Sequence, residues 1–86
     1  MPVRAEIIYA RGTKVTVSLP HLKTFGTLYG LLECYLIEPV YLHDKRVMLV
    51  DEEGLLRKKP INHAATAIAG RLIVGDVAII AGKDFK

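Results

Sequence analysis

The sequence predicts a small α+β domain, a mainly antiparallel sheet with two helices packed on it, in the order β-β-α-β-β-α-β. Three observations predict this. Lys14 to Leu19 alternates without a fault, Val15, Val17 and Leu19 on one side and Lys14, Thr16 and Ser18 on the other, the period-two pattern of a half-buried strand. Leu22, Phe25, Leu28, Tyr29 and Leu32 recur at spacings of three and four, the apolar stripe of a helix. Ile61 to Gly82 then runs through a polar cap, an Ala-rich helical turn, two punctuating glycines and a terminal apolar strand without filler.

Each element has its own reason. Val3 to Tyr9 carries the β-branched and aromatic residues of a strand, and Arg11-Gly12-Thr13 supplies the glycine of a tight reversal, so residues up to Leu19 read as a β-hairpin. Ser18 is placed to cap the helix that follows and Pro20 suits its first turn. Gly26 and Gly30, four apart on another side of that helix, permit close approach of another backbone, the sheet's in tight helix-on-sheet packing or else a ligand or partner chain. Tyr35 to Leu42 returns to extended structure, and Pro39 within it, which removes a ladder donor, makes it an edge strand or one with a bulge. His43-Asp44-Lys45 turns into Arg46 to Val50, too continuously apolar to face water on either side and therefore a central strand. Asp51 to Lys59 is a polar surface connection with Leu55-Leu56 tucked back against the body. Asn62 caps a helix over Ala64 to Ala69, Gly70 ends it in the left-handed conformation, and Gly75-Asp76 opens a strand over Val77 to Ala81. Lys83 to Lys86 reads as a frayed tail.

At 86 residues this is one domain, 1–86, with 51% hydrophobic and 24% charged residues, an ordinary globular composition. A core of this size leaves a small net stability, and the mean hydropathy of +0.29 means more apolar surface than a compact monomer hides, so a homo-oligomer is expected. The net charge of +3 is mildly basic. The dense basic run, Arg57-Lys58-Lys59, follows the acidic run Asp51-Glu52-Glu53, and the two fields partly cancel. One cysteine, Cys34, excludes an internal disulfide and fits a reducing cytoplasm; the start M-P-V-R-A-E lacks the pattern of a secretory signal, and the uncharged stretches fall far short of the about 20 residues that span a bilayer. A cytoplasmic protein is the expectation.

No reactive constellation emerges. His21, His43 and His63 stand about twenty residues apart without ligand-type partners at helical spacing, so no metal site is expected, and no cofactor motif is present. Cys34 follows Glu33 near a helix end, where both the negative terminus and the carboxylate raise a thiol pKa, the reverse of nucleophile activation. Asp76 after Gly75 suits a turn that accepts backbone hydrogen bonds; Arg71, just past the short helix, suits either an anion or the helix C-terminus. Tyr35, Ile37, Pro39 and Tyr41 share one face of a strand, which is core if covered and a contact surface for a partner or planar ligand if open.

The runs D-E-E-G-L-L (Asp51–Leu56), P-I-N (Pro60–Asn62), A-x-x-I-x-G (Ala65–Gly70) and I-V-G-D-V-x-I-I (Ile73–Ile80) resemble an uncharacterised family of small proteins encoded chiefly by bacteriophages, plasmids and other mobile elements. The resemblance implies a genomic setting, with no established activity attached. Together with the missing catalytic set it leads to a non-enzymatic binding protein, a counter-defence or accessory factor that binds a host defence protein or sequesters a nucleotide-like small molecule. Its candidate contacts are Asn62, His63, Arg71 and Asp76, with Tyr35 and Tyr41 as apolar anchors. The alternative is a nucleic-acid-binding accessory protein in which Arg57, Lys58 and Lys59 track phosphates.

Overall fold

A computed structural model describes residues 2–20 and 24–85 of the chain. Strands β1 (Val3–Ile8), β2 (Lys14–Leu19), β3 (Ile37–Tyr41), β4 (Arg46–Asp51) and β5 (Val77–Ala81) form one five-stranded sheet in the order β2-β1-β5-β4-β3, every pairing antiparallel. Helix α1 (Thr24–Leu31) follows β2 and helix α2 (His63–Ala69) precedes β5. The element order and the α+β class are those the sequence predicts.

The hairpin closes as a three-residue loop: Gly12 N–H donates to the Tyr9 carbonyl at 2.9 Å, Tyr9 N–H donates to Thr13 at 2.8 Å, and Gly12 sits at φ 104°. Only glycine takes up that angle without strain, which ties the register of the first two strands to one residue. Side chains alternate across the sheet, and the two faces build two cores. On one, Ala5, Ile7, Val47, Leu49, Ala78 and Ile80 pack against Leu28 and Leu32 of the α1 segment, and Cys34 joins them. On the other, Ile8, Met48, Val50, Val77 and Ile79 pack against Ala65 of α2 and against Ile73. β4 and β5, covered on both sides, are buried almost throughout, as continuous apolar runs require.

Several expectations are corrected. Ser18 is not a helix cap: β2 continues through Leu19 and α1 begins at Thr24, whose hydroxyl donates to the Pro20 carbonyl. His21 and Leu22 lie outside the described residues. Gly26 and Gly30 have nothing among the described residues within 4 Å of where a side chain would stand, so the sheet does not pack closely on them. Leu55 and Leu56 are not tucked in; they are 69% and 81% exposed, because a tight run of turns from Glu52 carries them outward. The tail is ordered through Phe85. A 3-10 turn (Gly82–Asp84) sets the Phe85 ring edge-on to Phe25 and Tyr41, at centroid distances of 5.8 and 6.0 Å. The ring is thus held between helix α1 and the rim of the sheet at β3.

Candidate functional site

The polar side chains gather in three places. The first joins the end of β1 to the start of β5. Asn62 is fully buried at the N-cap of α2; its Oδ1 accepts from Ala65 N–H at 3.0 Å, and its Nδ2 donates to the carbonyls of Ile8 and Gly75 at 2.9 Å each. Asp76 Oδ1 accepts from Ala10 N–H at 2.9 Å across the same junction. The structure thus brings Asn62 and Asp76 into one node, but their hydrogen bonds are spent on the protein's own backbone. His63 is the exposed first residue of α2.

The second place surrounds Asp51, whose carboxylate is wholly buried at the end of β4. Lys59 Nζ stands 2.8 Å and Arg57 Nη1 3.3 Å from its Oδ2, while Oδ1 accepts from Glu53 N–H. The same two cations donate to the last carbonyls beyond α1: Lys59 to Leu32 and Glu33, Arg57 to Glu33. Positive charge there is favoured by the helix dipole as well as by Asp51. The basic run is therefore divided. Arg57 and Lys59 hold the loop to the body, and Lys58, exposed and in a left-handed conformation at φ 57°, makes no ion pair among the described residues. Tyr35 lies beneath the Arg57 guanidinium at 5.3 Å and is 78% exposed. Buried beside this node, the Cys34 thiol has its pKa raised, first by burial and then by Asp51, against a smaller pull downward from Lys59 and Arg57. The direction matches the sequence reading; the cause does not, since burial and Asp51 stand where Glu33 was expected.

Tyr41 and Arg71 stand apart from both nodes. Tyr41, 71% exposed, leans on Phe85 at the β3 edge. Arg71 Nη2 is 3.8 Å from Glu38 Oε2 in an exposed pair of little energetic value. The residues proposed from sequence as one contact set are thus distributed over four regions.

The third place was not anticipated. Helix α2 lies on the face that carries Arg4, Glu6 and Ile8 of β1, and its seven residues extend only about 10 Å, whereas five strands spaced about 4.8 Å apart make a much wider sheet. It covers the part around Ile8, Val77 and Val50 and leaves the end of the face around Arg4, Arg46 and Ala81 open. A groove of about 490 Å³ opens there, floored by Ile79 and Ala81 and walled by Arg4, Glu6, Thr16, Arg46, Lys83 and Asp84. Its layout follows from register. Arg46 pairs with Ala81, and one step beyond the Ala5–Ile80 pair brings Arg4 to the other side of Ala81, so two arginines stand about 10 Å apart across a methyl-sized floor. Glu6 lies between Thr16 and Ile79 in the next row. Arg46 Nε is held at 2.7 Å by Asp44, whereas Arg4, Glu6, Lys83 and Asp84 make no ion pair among the described residues.

Chemically, the groove offers guanidinium and ammonium groups to an anion, carboxylates to N–H donors, and a flat apolar floor to a planar body. The alternation of Arg4 and Glu6 with Val3, Ala5 and Ile7 was the available signal for a polar row on β1. Which part of the row stays uncovered depends on where α2 docks, and that is not written locally. Among the described residues no group of three His, Cys, Asp or Glu is placed to hold a metal, and no helix is long and apolar enough to cross a membrane.

No curated protein and no solved structure matches the chain. A family model described as a domain of unknown function, DUF3846, matches residues 5–85, from within β1 to the Phe85 that closes the sheet's rim. The chain belongs to the DUF3846 family.

Proposed function

We propose that this protein is a non-enzymatic binding protein that holds a nucleotide-like anion on the open end of one face of its sheet, and that it serves a phage or other mobile element as a counter-defence or accessory factor in the host cytoplasm. The observation that carries the reading is the groove itself, with Arg4 and Arg46 flanking Ala81 and with Glu6 and Asp84 beside them. Its volume of about 490 Å³ lies within the roughly 300–1,000 Å³ of small-molecule sites. Phosphates suit the arginines, which bind them in two-pronged fashion; the amino and ring N–H groups of a base suit the two carboxylates; the base plane suits Ile79 and Ala81. A groove bounded by exposed side chains on an open sheet favours capture over turnover, because it does not exclude water from a reacting centre.

Thermal shift and calorimetry with nucleoside mono-, di- and triphosphates and cyclic nucleotides test this. A ligand at one hundred times its dissociation constant adds about 2.7 kcal/mol of stability. Arg4→Ala is expected to weaken it by roughly tenfold or more, the worth of one charge-assisted hydrogen bond. A panel that shifts nothing would remove the small-molecule reading. The competing nucleic-acid reading relies on Arg57, Lys58 and Lys59, of which two are drawn onto Asp51, and this supports the first reading over it. Duplex and single-stranded binding that falls steeply with salt and is abolished by Lys58→Glu would reverse that order. A host protein as partner would show as groove-dependent capture, lost with Arg4→Ala, in the absence of any nucleotide.

A further inference from the structure

We infer that two copies of this chain pair antiparallel along the outer edge of β2, about a two-fold axis at Thr16, and that each copy thereby carries its Lys14 to the rim of the other's groove. The first half stands on the hairpin alone; the second rests on the groove reading above. The sheet ends at β2 on one side and at β3 on the other, and the two edges differ in what their backbones offer.

The hydrogen-bond phase of the hairpin decides which groups face out. Tyr9 and Thr13 are a bonded pair, and in an antiparallel ladder bonded and non-bonded pairs alternate. Ile7–Val15, Ala5–Val17 and Val3–Leu19 are then bonded inward, and Lys14, Thr16 and Ser18 turn their N–H and carbonyl groups to the open edge. On β3 the same counting gives the opposite result. Leu42 N–H donates to Arg46 and the Leu36 carbonyl accepts from Glu52, so Ile37, Pro39 and Tyr41 face out, and Pro39 puts a missing donor at the middle of that edge. Proline, bulges and charged residues, lysine above all, are the usual protections of an edge strand. β3 has its proline at the centre; β2 has only Lys14, at its first position, and its Val15 is left 41% exposed.

The outward set is symmetric about its centre. A two-fold axis at Thr16 pairs Thr16 with itself and Lys14 with Ser18 of the partner subunit, so every outward group of the strand finds a partner and no two like charges meet. Axes at Val15 or Val17 leave one outward residue unpaired, and an axis at Lys14 opposes two ammonium groups. On the α1 side of the sheet the chosen register lays Val15 beside Val17 of the partner subunit, a β-branched pair of the kind strands favour. On the groove side it sets Lys14 of the partner subunit next to Ser18, which pairs with Arg4, which in turn neighbours Ala81 and Arg46. Thr16 already lines the groove, so the dimer axis runs along its wall and adds a cation to it.

Sedimentation velocity over micromolar concentrations should show a concentration-dependent dimer. Thr16→Pro removes an N–H that bonds nothing within the chain, so circular dichroism and the melting midpoint should change little while dimerisation weakens by roughly thirtyfold, about 2 kcal/mol for two hydrogen bonds. Thr16→Cys should form a disulfide-linked dimer on oxidation, because Cα atoms of a bonded antiparallel pair lie about 5.5 Å apart, within disulfide reach. Lys14→Cys combined with Ser18→Cys should also cross-link, and Lys14→Cys alone should not; buried Cys34 stays silent. A monomer throughout the concentration range, a T16P dimer as tight as the wild type, or K14C cross-linking as fast as T16C would overturn the proposal. None of these readouts depends on a ligand, so they stand or fall separately from nucleotide binding.

Discussion

Replacing Asn62 tests whether the buried junction of β1, β5 and α2 is a structural node. Asn62→Ala removes the cap on Ala65 N–H, worth about 1 kcal/mol, and leaves the Ile8 and Gly75 carbonyls without their side-chain donor, at about 1 kcal/mol each at the low end for a buried acceptor. The expected loss is about 3 kcal/mol. A domain of 86 residues has a total stability of about 4–13 kcal/mol, so this is a large share of it, and the melting midpoint should fall by roughly 12–24 °C. Asn62→Ser keeps the cap acceptor and should recover about 1 kcal/mol of the loss. Asn62→Asp is the sharper probe, since it keeps the cap oxygen but aims a carboxylate at two carbonyl oxygens in a dry site. Its folded-state pKa must rise above the ordinary carboxylate value of about 4. A raised pKa confers stability below the unfolded value that is lost as pH climbs through the folded one, so N62D should be nearer wild type at pH 4 than at pH 7. Urea unfolding followed by circular dichroism at both pH values measures this. A loss below about 1 kcal/mol for N62A, or an N62D whose deficit ignores pH, would refute the reasoning and return Asn62 to the list of ligand contacts.

Three further outcomes are expected. Asp51→Ala strands Lys59 and Arg57 beside the α1 C-terminus; with Arg57 partly solvated, a loss of about 2–4 kcal/mol should appear in the same urea titration, together with faster proteolysis at the loop after β4. Cys34, buried and raised in pKa, should react with a thiol reagent at pH 8 far more slowly in the native chain than in urea, and native stability should decline above about pH 8.5 as the unfolded thiol ionises; equal rates in both states would contradict its placement. Gly82→Ala drives a methyl into the Lys45 carbonyl, so it should destabilise by about 1–3 kcal/mol and, by displacing Lys83 and Asp84, weaken any groove ligand; an unchanged melting midpoint would show that the turn simply shifts.

The legible parts of this protein were those whose signal is local. Period-two alternation in β2, the Asn62 cap with Gly70 closing the same helix about two turns later, and Pro39 as the mark of an edge are each decided by a few neighbouring residues, and the structure places each where that logic puts it. Gly26 and Gly30 did not mark helix-on-sheet packing, because a glycine pair at helical spacing reports only permission for close contact, and among the described residues nothing comes close. Phe85 misled in the opposite way. Four residues of mixed polarity read as tail, and only the juxtaposition of Phe25 and Tyr41, sixty and forty-four positions away, makes a place for the ring.

The site shows the same division. Residue types alone told that no reactive set is spelled out along the chain and that Asn62 and Asp76 suit backbone work, because caps and turns use short-range hydrogen bonds. The groove had no such signature: Arg4, Arg46 and Lys83 are ordinary surface cations until β1, β5 and β4 are laid side by side. Local periodicity determined which elements form and which of their faces are apolar, since those preferences act over a turn or a strand. Tertiary structure alone decided that a short α2 leaves one end of a face open around Ala81 and that Lys59 answers Asp51 and not solvent, since both depend on strand order and helix docking, which arise from contacts far apart in the chain.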